Sequence, residues 1–199
     1  MTADETRRLT LPLTDASVRA LHAGDEVLLT GTLITGRDRA CARLHGQLAA
    51  GEPLPVDLAD ELLYFVGPAP APPGMAIGSA GPTTSARMNP FMPALLGAGL
   101  RGMIGKGFIG EEVKRAIERR PGVYFGAVGG TGALLAQTIA SAEVVAFAEF
   151  RSEAVFRLEL EAFPAVVLHD CHGNDLYEET YGSVVADVAT GEAGVGRRG

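Results

Sequence analysis

Cysteine is scarce in this chain: Cys41 and Cys171 are the only two among 199 residues. So few thiols, so far apart, exclude a disulfide scaffold and fit a reducing compartment. They also fall short of the cysteine ligands that a self-contained four-iron cluster requires. Positive charge is short as well, with 17 basic against 24 acidic residues and a net charge of -7. Phosphate backbones need a broad excess of Lys and Arg, so a nucleic-acid surface is excluded while a local cationic site is not. The sequence has no run of about 18 apolar residues to span a bilayer as a helix. Met1 to Arg8 has no apolar leader region, so a cytoplasmic protein without a membrane partner is expected. What is present is an even mixture, 47% hydrophobic and 21% charged, which suits one well-buried domain over residues 1–181. From Gly182 onward the Gly/Ala-rich composition predicts a mobile tail, 182–199.

The apolar pattern predicts an alternation of strands, glycine loops and helices. Arg8 to Leu13 alternates like a strand, and Thr14 or Asp15 is placed to cap a short helical turn through Leu21. Glu26 to Ile34 reads as a strand ending at Gly36-Arg37-Asp38, with a helix over Ala40 to Ala49. Leu62 to Val66 is a short strand, and Gly67 to Gly74, with four prolines, a stiff extended connection. Leu100 to Ile104 and Val123 to Val128 are further strands, separated by a helix over Glu111 to Arg120 with an acidic start and a basic end. Gly129 to Gly132 opens a small-residue helix to about Ala140. Val144 to Phe147, Val155 to Leu160 and Ala165 to Leu168 are strand-like, and His172-Gly173-Asn174 marks a turn. The expected fold class is α/β, a β/β/α arrangement with a mixed sheet and layered helices.

Three cations fall in or beside predicted loops: Arg37 after one strand, Arg87 after the hydroxyl-rich Thr83-Thr84-Ser85 segment, and Lys106 after another strand. A small dianion needs several converging donors, and Arg grips a carboxylate through two parallel hydrogen bonds. Each alone also reads as an ordinary surface charge. Thr83 offers a hydroxyl at the same loop. An alcohol is a poor base without a neighbour to accept its proton, and a helix-capping role suits Thr equally. Gly102 to Gly107 fails as a phosphate loop twice, with Leu100 where a glycine is needed and Gly107 where Ser or Thr is needed. The glycines of Gly126 to Gly132 do not spell a dinucleotide fingerprint and read better as close helix packing. His169, Asp170, Cys171 and His172 are potential zinc ligands, but consecutive residues rarely converge on one ion, and a polar turn is the simpler reading.

With these residues in view, the chain resembles the β subunit, or C-terminal domain, of class I fumarate hydratases and L-tartrate dehydratases, the iron–sulfur-dependent hydro-lyases. The resemblance rests on an ordered series: Thr35-Gly36-Arg37-Asp38, Tyr64-Phe65-Val66-Gly67-Pro68, Gly81-Pro82-Thr83-Thr84-Ser85-Ala86-Arg87-Met88, Gly105-Lys106-Gly107, Gly129-Gly130, and Phe163-Pro164-Ala165 with Gly173-Asn174-Asp175. It covers roughly Ala23 to Glu178.

The resemblance implies a swivelling β/β/α domain that works with a cluster-bearing α subunit, whose three cysteines hold a [4Fe-4S] cluster with one open iron. It implies a reversible hydration of fumarate to malate, with L-tartrate or another hydroxy-dicarboxylate as the alternative substrate, in an α2β2-type assembly. Arg37, Arg87 and Lys106 are then substrate-carboxylate ligands. Thr83 is the residue of proton transfer beside the carbon bearing the leaving hydroxyl, activated by an aspartate of the partner. Two positions depart from the pattern: Cys41 stands where a histidine is common and Asn89 where aspartate is. A reading of another class, a non-catalytic dicarboxylate-binding or assembly module, makes the same use of the cations without the chemistry.

Overall fold

The alternating start of the chain forms strand β1 (Arg7–Thr10), after which Thr14 caps helix α1 (Asp15–Arg19). The cap is reciprocal: Ser17 N donates to Thr14 Oγ1 at 3.1 Å and Thr14 N donates to Ser17 Oγ at 2.9 Å. These and the other coordinates come from a computed structural model, which describes residues 6–127, 132–180 and 182. The expected helix opening at Gly129 to Thr131 and the expected tail beyond Gly182 lie outside the described residues.

Strand β2 (Glu26–Thr35) begins with one face buried and ends with Leu33, Ile34 and Thr35 all buried, as a strand does when it enters the middle of a layered sheet. Helix α2 (Asp38–Ala49) follows and buries Ala40, Cys41 and Leu44 at helical spacing. After it come strand β3 (Leu62–Tyr64), a 3-10 turn over Ser85–Met88, helix α3 (Met92–Gly97), strand β4 (Gly102–Gly105), helix α4 (Glu111–Arg119) and strand β5 (Val123–Gly126). The chain then forms helix α5 (Gly132–Ala136), strand β6 (Ile139–Ala146), a 3-10 segment over Ala148–Glu153 and strand β7 (Val155–His169).

The order across the sheet is β1-β2-β3-β4-β5-β7-β6, parallel from β1 through β5, with β7 antiparallel to its neighbours. β7 also pairs with β2 along its length, so the order β2-β3-β4-β5-β7 returns to β2. One face of this curled sheet carries Val27, Leu29, Leu33, Tyr64, Ile104, Phe125, Leu158 and Val167 into a first core closed by α1 and α5. The residues between them on the strands, among them Ile34, Leu63, Met103 and Tyr124, face a second core under α2, α3 and α4. The expected α/β class with a mixed sheet and layered helices is what forms.

Several expectations need correcting. The small-residue helix stops at Ala136, and Ile139 begins a strand eight residues long rather than one confined to Val144 to Phe147. Pairing with β7 extends the strand back from Val144-Val145 through residues 140–143, whose Ala, Ser and Glu favour no strand. Val155 to Leu160 and Ala165 to Leu168 are one strand, which passes Glu161 and Ala162 with a register shift against β2 and a left-handed backbone at Ala162 (φ 54°). The proline segment after Gly67 is not a straight spacer. It turns at Pro72–Met75 and returns, with Ala69 N donating to Ser79 O at 3.0 Å and Gly78 N to Ala69 O at 3.1 Å. β4 runs Gly102–Gly105 rather than Leu100 to Ile104, which puts Lys106 one residue past its end.

Candidate functional site

Register puts the ends of the parallel strands level, through the pairs Thr35↔Tyr64, Tyr64↔Ile104 and Ile104↔Phe125. The carboxyl ends of parallel strands are where α/β layers expose ligand-binding loops. Gly36-Arg37 leaves β2 there, Phe65 to Gly67 leaves β3, and Lys106-Gly107 leaves β4. Thr83 to Arg87 is laid across the same end: Thr83 N donates to Phe65 O at 2.7 Å, and Thr84 forms a parallel bridge with Lys106.

Arg37 is the residue before α2, so its backbone is extended and its side chain is free to turn over the strand ends. Its Nε lies 3.6 Å from Asp38 Oδ2 and its Nη2 lies 3.9 Å from Glu153 Oε1. Arg87 Nη2 reaches the same Asp38 oxygen at 2.8 Å. Asp38 therefore sits between two guanidinium groups. These are charge contacts without hydrogen-bond geometry, since Arg37 Nε and Asp38 Oδ2 are both buried and unbonded among the described residues. Glu153 has a second task, accepting from Arg39 N at 3.2 Å at the start of α2, where a carboxylate complements the helix dipole. Arg39 in turn stacks over Phe150 at 4.1 Å, which pins the Ala148–Glu153 segment against α2.

Two of the cations differ from Arg37 in setting. The Arg87 side chain is half exposed, against 23% for Arg37. Lys106 is exposed and has no ion pair among the described residues. Thr83 is partly buried, and its hydroxyl makes no hydrogen bond among the described residues. The capping role for Thr83 does not arise: the following turn is capped at Thr84, without a side-chain bond. The structure thus joins Arg37 to Arg87 through Asp38, and joins the Thr83–Arg87 segment to Lys106 by the bridge. Asp38, Glu153, Ser85 and Tyr124 are the site-end residues that sequence reasoning missed. Asp38 carried a signal, as an acid beside Arg37 at a helix start, and so did Ser85, as part of the hydroxyl-rich segment, though neither was given a role.

Gly67 is part of this packing. A Cβ there would lie 2.7 Å from Arg37 Cδ, 2.8 Å from its Nη1 and 3.1 Å from Ser152 O. Gly67→Ala is expected to push the Arg37 guanidinium aside at little cost in stability, because the nearest atoms belong to a flexible side chain. KM for the site's ligand rises about tenfold while the unfolding midpoint moves by only a few degrees, since small misplacements of positioning groups are amplified in kinetics. Steady-state kinetics alongside thermal unfolding checks both halves.

The His169 to His172 cluster lies at the opposite end of the sheet, beside the start of β2. Asp170 is fully buried and accepts from Ala23 N (2.9 Å), His172 N (2.8 Å), Asn174 N (3.1 Å) and Asn174 Nδ2 (2.8 Å). Burial alone would raise its carboxyl, but the bonds from Asn174, Ala23 and His172 outweigh burial and hold it below the usual carboxylate range. It is the hub of a turn, as the sequence suggested. Among the described residues no group of three His, Cys, Asp or Glu side chains could hold a metal ion. Cys41 is sealed under α2, where burial and then the nearby Asp38 and Glu153 charges push its thiol up. Cys171 lies at the other end of the sheet, so the two cysteines do not fit as holders of an iron–sulfur cluster. Cys41 packs as a small core side chain. Asn89, the other departure, accepts from Gly110 N at 3.1 Å through Oδ1 and ties the turn after Arg87 to the start of α4.

Residues 1–180 match the family described as Fumarase C-terminus. The chain belongs to that family. Among relatives of this Fumarase C-terminus chain, the aerobic class I fumarate hydratase of Escherichia coli K12 is 41% identical over 153 residues, which are 76% of this chain and 28% of the relative. The mitochondrial fumarate hydratase 1 of Leishmania major is similar to the same extent. A protein of Methanocaldococcus jannaschii named as an L(+)-tartrate dehydratase subunit beta is 36% identical over 173 residues, 84% of this chain and 89% of that one. The chain therefore spans 28% of the length of these two fumarate hydratases and 89% of the beta subunit. No helix among the described residues is long and apolar enough to cross a membrane.

Proposed function

We propose that this chain is the β-type component of a heteromeric hydro-lyase that reversibly hydrates fumarate to malate, and that Arg37, Arg87 and Lys106 hold the substrate carboxylates while Thr83 moves a proton. The observation that carries the reading is the gathering of these residues at one end of the parallel strands, with Arg37 and Arg87 already sharing a carboxylate. Asp38 sits where a substrate carboxylate would bind, so an arriving dicarboxylate takes its place against Arg87 and faces both guanidinium groups. Lys106, exposed and without an ion pair among the described residues, is left for the other carboxylate. A dianion so gripped is fixed in orientation, and orientation accounts for much of the rate in reactions of this kind.

Thr83 serves a carbon rather than a carboxylate. In hydration its hydroxyl proton passes to the carbon next to the one that gains oxygen, and in dehydration it takes that proton back. It needs a base to relay to, supplied by an aspartate of the partner. In this reading the partner also holds the [4Fe-4S] cluster, which supplies a Lewis acid for the substrate hydroxyl. The near full-length correspondence with a protein named as a subunit beta supports a separate partner chain, and in this reading the assembly is of the α2β2 type. The same correspondence favours L-tartrate as the alternative substrate.

The test is to purify this chain with the product of the adjacent open reading frame under anaerobic conditions and assay hydration and dehydration of fumarate, malate and L-tartrate. A brown, oxygen-sensitive pair active on one of these is the expected result. A colourless homo-oligomer that binds dicarboxylates unaided, with no neighbouring reading frame for a partner, would sink the reading in favour of a binding module.

A further inference from the structure

Two buried hydroxyls behind the candidate site belong to neither the carboxylate grip nor the proton transfer. Ser85 and Tyr124 are each 1% exposed, one in the turn after Thr84 and the other in the middle of β5. Ser85 Oγ and Tyr124 Oη lie 2.8 Å apart, Tyr124 Oη donates to Gly107 O at 2.7 Å, and Lys106 N donates to Ser85 Oγ at 3.1 Å. A carbonyl can only accept, so the single phenolic proton is committed to Gly107. Ser85 must then donate to Tyr124, and a lone pair of Ser85 takes the amide of Lys106. The direction of every bond is fixed: Lys106 amide to Ser85, Ser85 to Tyr124, Tyr124 to Gly107. Burial raises the Tyr124 phenol, which keeps it a donor across the ordinary pH range.

The chain begins and ends on adjacent residues of one turn. Gly107 has a left-handed backbone (φ 76°), and Ser85 N donates to Lys106 O at 2.9 Å, so Lys106 is held by Ser85 through both its amide N–H and its carbonyl. A side chain at Gly105 would collide with Ser85 Oγ and press on Phe65, so the approach of the two loops depends on that glycine. No substrate atom need touch either hydroxyl.

We propose that Ser85 and Tyr124 are positioning residues of the dicarboxylate site, setting the direction in which Lys106 leaves the sheet relative to Thr83. This rests on the hydro-lyase reading above. Removing the Tyr124 hydroxyl leaves the Gly107 carbonyl without its donor, and removing the Ser85 hydroxyl leaves the Lys106 amide without its acceptor; either break loosens the Lys106–Gly107 turn beside the Thr83–Ser85 loop, which disturbs a carboxylate ligand and its placement relative to the proton-transfer group.

The experiment compares wild type, Tyr124→Phe, Ser85→Ala and the double substitution, each assembled with the cluster-bearing partner and assayed with fumarate and L-tartrate, with thermal unfolding in parallel. Each single substitution is expected to raise KM about tenfold and lower kcat about tenfold, and the double to do no more than either single, because one break opens the chain. Kinetic constants equal to wild type, whatever happens to the midpoint, would overturn the proposal by leaving the hydroxyls a purely structural role. Effects that multiply in the double would overturn it as well. If Ser85→Ala does not fold, Tyr124→Phe, which removes one oxygen and little volume, decides alone. An active wild-type pair with unaffected variants refutes this inference and leaves the hydro-lyase reading standing, whereas a wild-type pair inactive on every dicarboxylate refutes both.

Discussion

Thr83→Val is expected to lower kcat about a thousandfold in the assembled enzyme and to leave KM within about threefold of wild type. The substitution exchanges a hydroxyl for a methyl of nearly the same shape. The Thr83 hydroxyl makes no hydrogen bond among the described residues, and its anchoring to the sheet is through the backbone, N to Phe65 O. Folding therefore loses nothing specific, and the cations proposed to bind substrate stay where they are. What goes is the group proposed to move the proton, and proton transfer by a positioned side chain contributes on the order of a hundred- to ten-thousandfold. A thousandfold corresponds to about 4 kcal/mol of transition-state stabilisation. Thr83→Ser, which keeps the oxygen, is expected to recover most of the loss. Stopped-assay kinetics with both variants check this, and a Thr83→Val enzyme with wild-type kcat would transfer the proton role elsewhere.

How much of this arrangement is legible before the fold is known follows from how far apart the cooperating residues lie. The strands that carry the site announce themselves locally, because Glu26–Thr35 and Leu62–Tyr64 are apolar runs between glycine and proline breaks. Arg37, Thr83, Arg87 and Lys106 were legible for the same reason, as polar residues just beyond such runs. β6 was legible only in its second half, at Val144; the part before it, half exposed and made of Ala, Ser and Glu after Ile139, becomes strand through its pairing with β7. The contacts that join β2 and α2 to β7 and the segment before it are equally silent in the sequence: the Thr35 hydroxyl accepts from Phe156 N at 2.9 Å, and Glu153 accepts from the amide of Arg39. These partners lie more than a hundred positions apart, and no local pattern encodes them. The pairing of Ser85 with Tyr124 was not legible, because a buried Ser and a buried Tyr each look like ordinary packing until the turn between β4 and α4 is in place.

The second large effect is expected from Arg87→Ala: kcat/KM falls at least about a hundredfold, equivalent to roughly 3 kcal/mol, as for other truncated charge clamps. Stability is expected to change little, because half of the Arg87 side chain is open to solvent and Arg37 remains beside Asp38 to offset its charge. The loss in binding is large by contrast. Asp38 loses one of its two guanidinium neighbours, so its negative charge is now offset by Arg37 alone and repels an incoming carboxylate. Arg87→Lys restores the charge without the planar fork, and is expected to recover only part of the loss. The comparison that decides the role is Arg87→Ala with Asp38→Asn. If Arg87 binds substrate directly, removing the Asp38 charge on top of Arg87→Ala recovers some affinity by lifting that repulsion. If Arg87 acts only by holding Asp38 in place, the double substitution is no better than Arg87→Ala alone, and wild-type turnover in Arg87→Ala would remove Arg87 from the carboxylate grip altogether.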